Sequence, residues 1–290
     1  MSLQELPKLE LHLHLEGAAP PSFIRGLAKE KSVDLSKIFR EDGSYAYRDF
    51  VHFLSVYEAA TSVLKTPDDY ARLVSAVAQE SVAQGVIYTE TFVSPDFCGG
   101  SDIEAWKDYL LAMKEAADRA QARDGIIMRG IVTCIRHFGP DLAKASAQCA
   151  AETVGDWITG FGIAGDEAKG KPRDFAYSFD MAREAGLRLT AHAGEWGEVC
   201  PGSNVVLGVY QDWDKHPIQA VRDRGVKVCV LTDDPPFFHT TMTREYEQLA
   251  TTFGWGTADF RDISQTALDA AFCDADTKAK LGEKLKDHPA

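Results

Sequence analysis

The chain has 290 residues, 45% hydrophobic and 26% charged, the composition of a soluble globular protein long enough to bury a sizeable core. Its formal net charge of −13 argues against a nucleic-acid or anionic-membrane partner and leaves a small neutral substrate open. No apolar run could span a bilayer, residues 1–8 lack a signal-peptide centre, and six scattered cysteines without a Cys-X-X-Cys pair read as reduced thiols of a cytoplasmic protein.

The first predicted element is a strand over residues 8–14, where Leu9, Leu11 and Leu13 alternate with Glu10, His12 and His14. That period puts His12 and His14 on one side of the strand, within reach of one metal ion, although two half-buried surface histidines would give the same pattern. Helical patterns follow over 22–28 and 49–61. The run Thr66-Pro67-Asp68-Asp69 then supplies an N-cap, a proline at the first position and acids in the first turn of a helix to Gln84. Gly85 ends that helix. Beyond it, strands are expected at 86–92, 126–133, 157–163, 187–193, 198–200 and 226–231. Helices are expected at 101–123, 140–154, 175–185, 217–224 and 243–253, with closing helices after Thr257.

Strands alternating with helices of this length mean parallel β-α units, and no linker or repeat divides the chain, so one α/β domain over 1–290 is expected. Residues able to do chemistry sit just after strands: His12 and His14, Glu90 to Ser94, Gly165-Asp166-Glu167, His192 to Glu195, Ser203-Asn204, and Asp233-Asp234. A (β/α)8 TIM barrel keeps its active site at those strand ends. A doubly wound sheet does so too, but no Gly-X-Gly-X-X-Gly follows the first strand. Alone, a strand-end histidine or an Asp-Asp pair is more often structural. Three histidines and an aspartate from three strand ends converge more economically on one cation, with a nitrogen and oxygen ligand set that suits zinc and admits iron, cobalt or manganese. Water on such a metal ionises near neutral pH, and Glu195, beside a ligand, is placed to carry a proton.

Taken together, Leu6-Pro7-Lys8 through His12-Leu13-His14-Leu15-Glu16-Gly17, Ala164-Gly165-Asp166-Glu167, His192-Ala193-Gly194-Glu195, Cys200-Pro201-Gly202-Ser203-Asn204, His216-Pro217 and Thr232-Asp233-Asp234-Pro235 resemble, in order, the adenosine deaminase family of metal-dependent barrel hydrolases. The resemblance implies a TIM barrel with extra N- and C-terminal helices and one zinc ion held by His12, His14, His192 and Asp233. It implies attack of hydroxide on C6 of a purine nucleoside, protonation of N1 by Glu195, and departure of ammonia, in purine salvage. His14, Glu16, Gly165 and Asp234 would contact substrate, with Gly165 at N3 and Asp234 at N7. Asp166 and Glu167 read as support, Phe237 and Phe238 as either core or purine-packing residues, and His137 and His239 as structural or solvated. Ala164-Gly165-Asp166-Glu167 is more like the nucleoside enzymes, so adenosine and 2′-deoxyadenosine are the expected substrates. Glu16, where adenosine-specific members often carry Asp, points to the alternative, adenine.

The chain departs from the family between Gly197 and Glu198, where a helix, a strand ending in a His-Gly motif and another helix are expected. That histidine is the family's water-activating base, and nothing here matches it. The strand count agrees: seven are expected and a closed barrel needs eight. Four residues separate Ala193 from Glu198, whereas a parallel crossover takes about a dozen. Three explanations compete: a segment missing from the sequence, a deletion that opens the barrel, or a local fold unlike the family's. If the gap is real, a non-catalytic purine-binding relative becomes the further alternative.

Overall fold

The computed structural model describes residues 2–192 and 199–286. Five strands, β1 (Lys8–His14), β2 (Val86–Val93), β3 (Ile127–Ile135), β4 (Ile158–Ala164) and β5 (Arg188–Leu189), pair in parallel in chain order. On the free side of β1, Leu13 makes an isolated parallel bridge to Asp233. There Asp233 N–H donates to the His12 carbonyl at 2.9 Å, and His14 N–H donates to the Asp233 carbonyl at 3.2 Å. The wall of the barrel therefore runs from the Asp233 segment through β1 to β5.

The helices are α1 (Pro21–Glu30), α2 (Phe50–Thr61), α3 (Pro67–Ala83), α4 (Ile103–Asp124), α5 (Pro140–Glu152), α6 (Ala176–Glu184), α7 (Pro201–Val206), α8 (Ile218–Asp223), α9 (Met242–Phe253), α10 (Thr257–Ala270) and α11 (Ala275–Lys286). At the start of α3, Thr66 is the expected N-cap, and it and Asp69 form a reciprocal capping box. α4 ends on Gly125 at φ 74°, a left-handed cap that glycine adopts without strain. No helix among the described residues is long and apolar enough to cross a membrane.

Leu13, Val86, Val132 and Phe161 are buried in the main core that joins the wall to its helices. Each such side chain contributes roughly 1.5–3 kcal/mol on burial. Ala267 and Leu268 of α10 and Leu281 of α11 pack with Leu9, Tyr88 and Ile127, near the starts of the first three strands. These helices cover the N-terminal end of the wall. At the same end, fully buried Lys8 donates from Nζ to the carbonyls of Leu3 (2.6 Å), Gln84 (2.8 Å), Leu6 (2.9 Å) and Gln4 (3.2 Å). The C-terminal end is left for a cleft.

Three expected strands need correction. Of the 187–193 strand, Ala193 lies outside the described residues, and among 187–192 only Arg188–Leu189 forms a strand. For the 198–200 strand, Glu198 lies outside the described residues, and Val199 and Cys200 lead into α7 without entering a strand. Residues 226–231 carry no strand, and the wall is met only at Asp233. The cause is shared: a strand is held by ladder hydrogen bonds on its flanks. Among the described residues β5 has only β4 beside it, and the Asp233 segment has only β1.

Candidate active site

Strand alternation sends His12 and His14 to the same side of β1, as their spacing requires. His192 follows β5 and is fixed through β4: its N–H donates to the Ile163 carbonyl at 2.9 Å, and its Nδ1 lies 2.9 Å from that same oxygen. A carbonyl only accepts, so Nδ1 carries the proton and Nε2 is left as a lone-pair donor. Arg136, itself buried, donates from Nη2 to the His192 carbonyl at 3.0 Å. Asp233 sits at φ 66°, a left-handed conformation costing about 1–3 kcal/mol that the two bonds to β1 hold in place.

These four side chains meet. Their donor atoms all lie within 4.8 Å of one another. His14 Nε2 and His192 Nε2 are 3.0 Å apart, and Asp233 Oδ1 is 3.4 Å from Nε2 of both His12 and His14. Bonds of about 2.0–2.1 Å in a tetrahedral zinc site imply donor separations of about 3.3 Å, which these distances fit. Ser203 donates to the other Asp233 oxygen at 3.0 Å, orienting the carboxylate from outside the cluster. Electrostatics agree with a cation site. Burial, then the neighbouring His12 and His14, holds the His192 imidazole well below the usual histidine range, in the neutral form a metal would require. Burial alone would raise Asp233, but hydrogen bonds from His12 and His14 hold it well below the carboxylate range.

A cleft of about 700 Å³, counted to its open mouth, lies over the cluster. His14, His192 and Asp233 line it together with Glu16, Gly165 and Asp234, so every expected substrate contact among the described residues faces one space. Phe50, Phe53, Leu54 and Tyr57 of α2 supply an apolar wall. Gly17 is required where it stands, because a Cβ there would fall 1.5 Å from Asp234 Oδ1. Gly165, at φ 94°, brings its backbone against His137, whose Nδ1 a Cβ would meet at 2.7 Å. Glu16 is 4% exposed and accepts a hydrogen bond from the Tyr70 hydroxyl at 2.9 Å. Burial pushes its carboxyl up to about 7. Buried Glu245 accepts from Gly202 N–H at 3.0 Å and from the Thr240 hydroxyl at 2.6 Å, joining the start of α7, which carries Ser203, to the loop after Asp234. Gly202 makes room for it, since a Cβ would lie 2.1 Å from Glu245 Oε1.

Glu195 lies outside the described residues. Phe237 and Phe238 belong to the core and do not line the cleft, Phe237 stacking on Tyr45 at 3.8 Å. His239 is likewise absent from its walls. His137, read from sequence as structural, does line the cleft, and its Nδ1 accepts from Asp166 N–H at 3.3 Å. Tyr57 and Tyr70 were not singled out from sequence. Both occupy apolar faces of helices, where nothing in the period separates a site residue from a core residue.

The family model described as adenosine deaminase matches residues 7–198 and 196–288. The chain belongs to the adenosine deaminase family. This family member is an aminohydrolase, and its two matched stretches meet at 196–198, where the β-α unit was expected to be missing. An adenine deaminase of Rhizobium johnstonii is 40% identical over 317 residues, covering 95% of this chain and 98% of its own. That aligned length exceeds the whole chain, so the relative carries residues with no counterpart here. Among solved structures, an adenine deaminase from Arthrobacter aurescens has a TM-score of 0.87 at 24% identity, covering 97% of this chain and 98% of its own. An amidohydrolase from Burkholderia ambifaria with bound zinc has a TM-score of 0.83 at 25% identity, covering 99% and 94%. The fold is the TIM-barrel fold of these deaminases, with five strands formed among the described residues.

Proposed function

We propose that the protein hydrolyses the 6-amino group of adenine, converting adenine and water to hypoxanthine and ammonia. The observation that carries the choice of adenine over adenosine is Glu16. Its carboxyl is enclosed against Tyr70 at the position where adenosine-specific members are expected to meet ribose. The name and near-complete coverage of the Rhizobium johnstonii relative support the same substrate. The adenosine expectation therefore gives way to its alternative.

His12, His14, His192 and Asp233 would hold the metal, and the zinc-bound Burkholderia ambifaria relative supports zinc. When bound, such an ion supplies a water that ionises near neutral pH. The chain's own residues do the rest. Gly165 and Asp234 would orient the ring, Phe50, Phe53, Leu54 and Tyr57 of α2 would pack against it, and Glu195 would deliver a proton to N1. A general base contributes typically 10²–10⁴-fold, and no residue matches the family's His-Gly base, so slow turnover is expected.

Ammonia release from adenine and from adenosine, at high enzyme concentration with added zinc, tests the reading. Slow release from adenine alone is the expected result. Release from adenosine alone would overturn it. The break in the family match at 196–198 favours a second reading, a purine-binding relative without turnover. It requires adenine binding with no ammonia from either compound.

A further inference from the structure

We propose that Tyr70 is a positioning residue that sets specificity for the free base, by fixing the Glu16 carboxylate as the hydrogen-bond acceptor for purine N9–H. This rests on the adenine reading above. Tyr70 is fully buried and is not among the residues lining the cleft, so it acts on a ligand only through Glu16. Its place is fixed from three directions. Its N–H donates to the Thr66 carbonyl at 3.2 Å in the first turn of α3. Its ring meets the Tyr109 ring edge-on at 5.2 Å, and its hydroxyl donates to Glu16 Oε1 at 2.9 Å. Tyr109 is held in turn by donating to the Lys65 carbonyl at 2.6 Å.

Leu15 N–H donates to the Phe92 carbonyl at 3.0 Å, so the backbone leading into Glu16 is still in register with β2. The carboxylate is thus held by its main chain on one side and by a phenol on the other. A hydroxyl donating to a carboxylate is a charge-assisted bond, with stricter geometry than a neutral pair. A carboxylate so held attracts only donors. Around the purine, N9–H is a donor in adenine and is lost when N9 carries ribose or any alkyl group. A site built around such a bond rejects the analogue lacking it, because the buried acceptor is left unpaired.

The test is calorimetric binding of adenine and 9-methyladenine to the zinc-loaded full chain, wild type and Tyr70→Phe. Binding needs no turnover, so it reads the site whether or not the missing base limits catalysis. Wild type should prefer adenine by about 100-fold, well inside the discrimination that a hydrogen-bonding site can reach. In Tyr70→Phe the preference should fall to about 10-fold or less, through weaker adenine binding, with 9-methyladenine changed less than about threefold. A merely structural tyrosine would weaken both ligands equally and keep the ratio, which overturns the inference. Should Tyr70→Phe not fold, Glu16→Asp draws the carboxylate away from the Tyr70 hydroxyl and should narrow the same ratio; an unchanged ratio there overturns it as well. Failure of the adenine reading looks different: wild type itself would bind adenine no better than 9-methyladenine.

Discussion

The two flanks of the cleft are built differently, yet each delivers two side chains of the four-residue cluster to the same point. His12 and His14 stand on β1, inside a continuous ladder with β2. His192 and Asp233 border the region where strands are few, beyond a two-residue β5 and on a single bridge. Point hydrogen bonds do there what a ladder does on the other side. His192 takes its register from Ile163 of β4, and Asp233 takes its own from His12 and His14 of β1. Side chains at the margins of the wall formed by the described residues can therefore keep their geometry by reference to the strands beside them.

Removing a ligand from the sparse flank should have the largest effect. His192→Ala is expected to lose bound metal and activity together, measured by elemental analysis and ammonia release. Retention of one equivalent of metal would mean that the four-residue cluster is not the centre. Next, Glu195→Gln should keep the metal and lower turnover by about 10²–10⁴-fold, the usual contribution of a proton-transferring side chain. Normal turnover in that variant would sink the proton-donor role.

A smaller effect isolates one of the point bonds. Ser203→Ala removes the hydrogen bond to Asp233 Oδ2 and should weaken metal affinity by about 10–100-fold, read by competition with a chelator. An unchanged affinity would show that the β1 bonds alone orient Asp233. The smallest effect is in stability against pH. Burial raises the Glu245 carboxyl from 4.5 to about 7, so the folded state holds this proton more tightly than the unfolded chain. The associated stabilisation is complete below about 4.5 and lost as pH rises through about 7, a change on the order of a few kcal/mol. Thermal unfolding should follow that trend, and Glu245→Gln should flatten it. An identical pH profile in the variant would assign the trend to other groups.

Much of the site was legible because its parts obey short periods. Alternation along 8–14 places His12 and His14, and strand-end positions place Gly165, His192 and Asp233. The missing crossover was also legible, since four residues between Ala193 and Glu198 cannot return a chain to a parallel strand. What failed was the fate of the neighbouring segments. Residues 226–231 have a strand-like composition, but pairing depends on what lies alongside, and local sequence does not encode a partner's absence. The positions of His137 at the cleft and of Tyr70 against Glu16 were hidden for another reason. One follows a strand without a recognisable motif, and the other sits on a helix face that reads as core.

The contact between Gly202 and Glu245 constrains how this sequence can drift. Any side chain at 202 collides with the carboxylate, and a shorter acid at 245 opens space while giving up the reach to both Thr240 and the turn. Neither a larger residue at 202 nor a shorter one at 245 can enter alone without disturbing the segments that lead to Ser203 and Asp234. Viable variants should therefore alter the two together, and a library randomised at both sites would recover them as linked pairs.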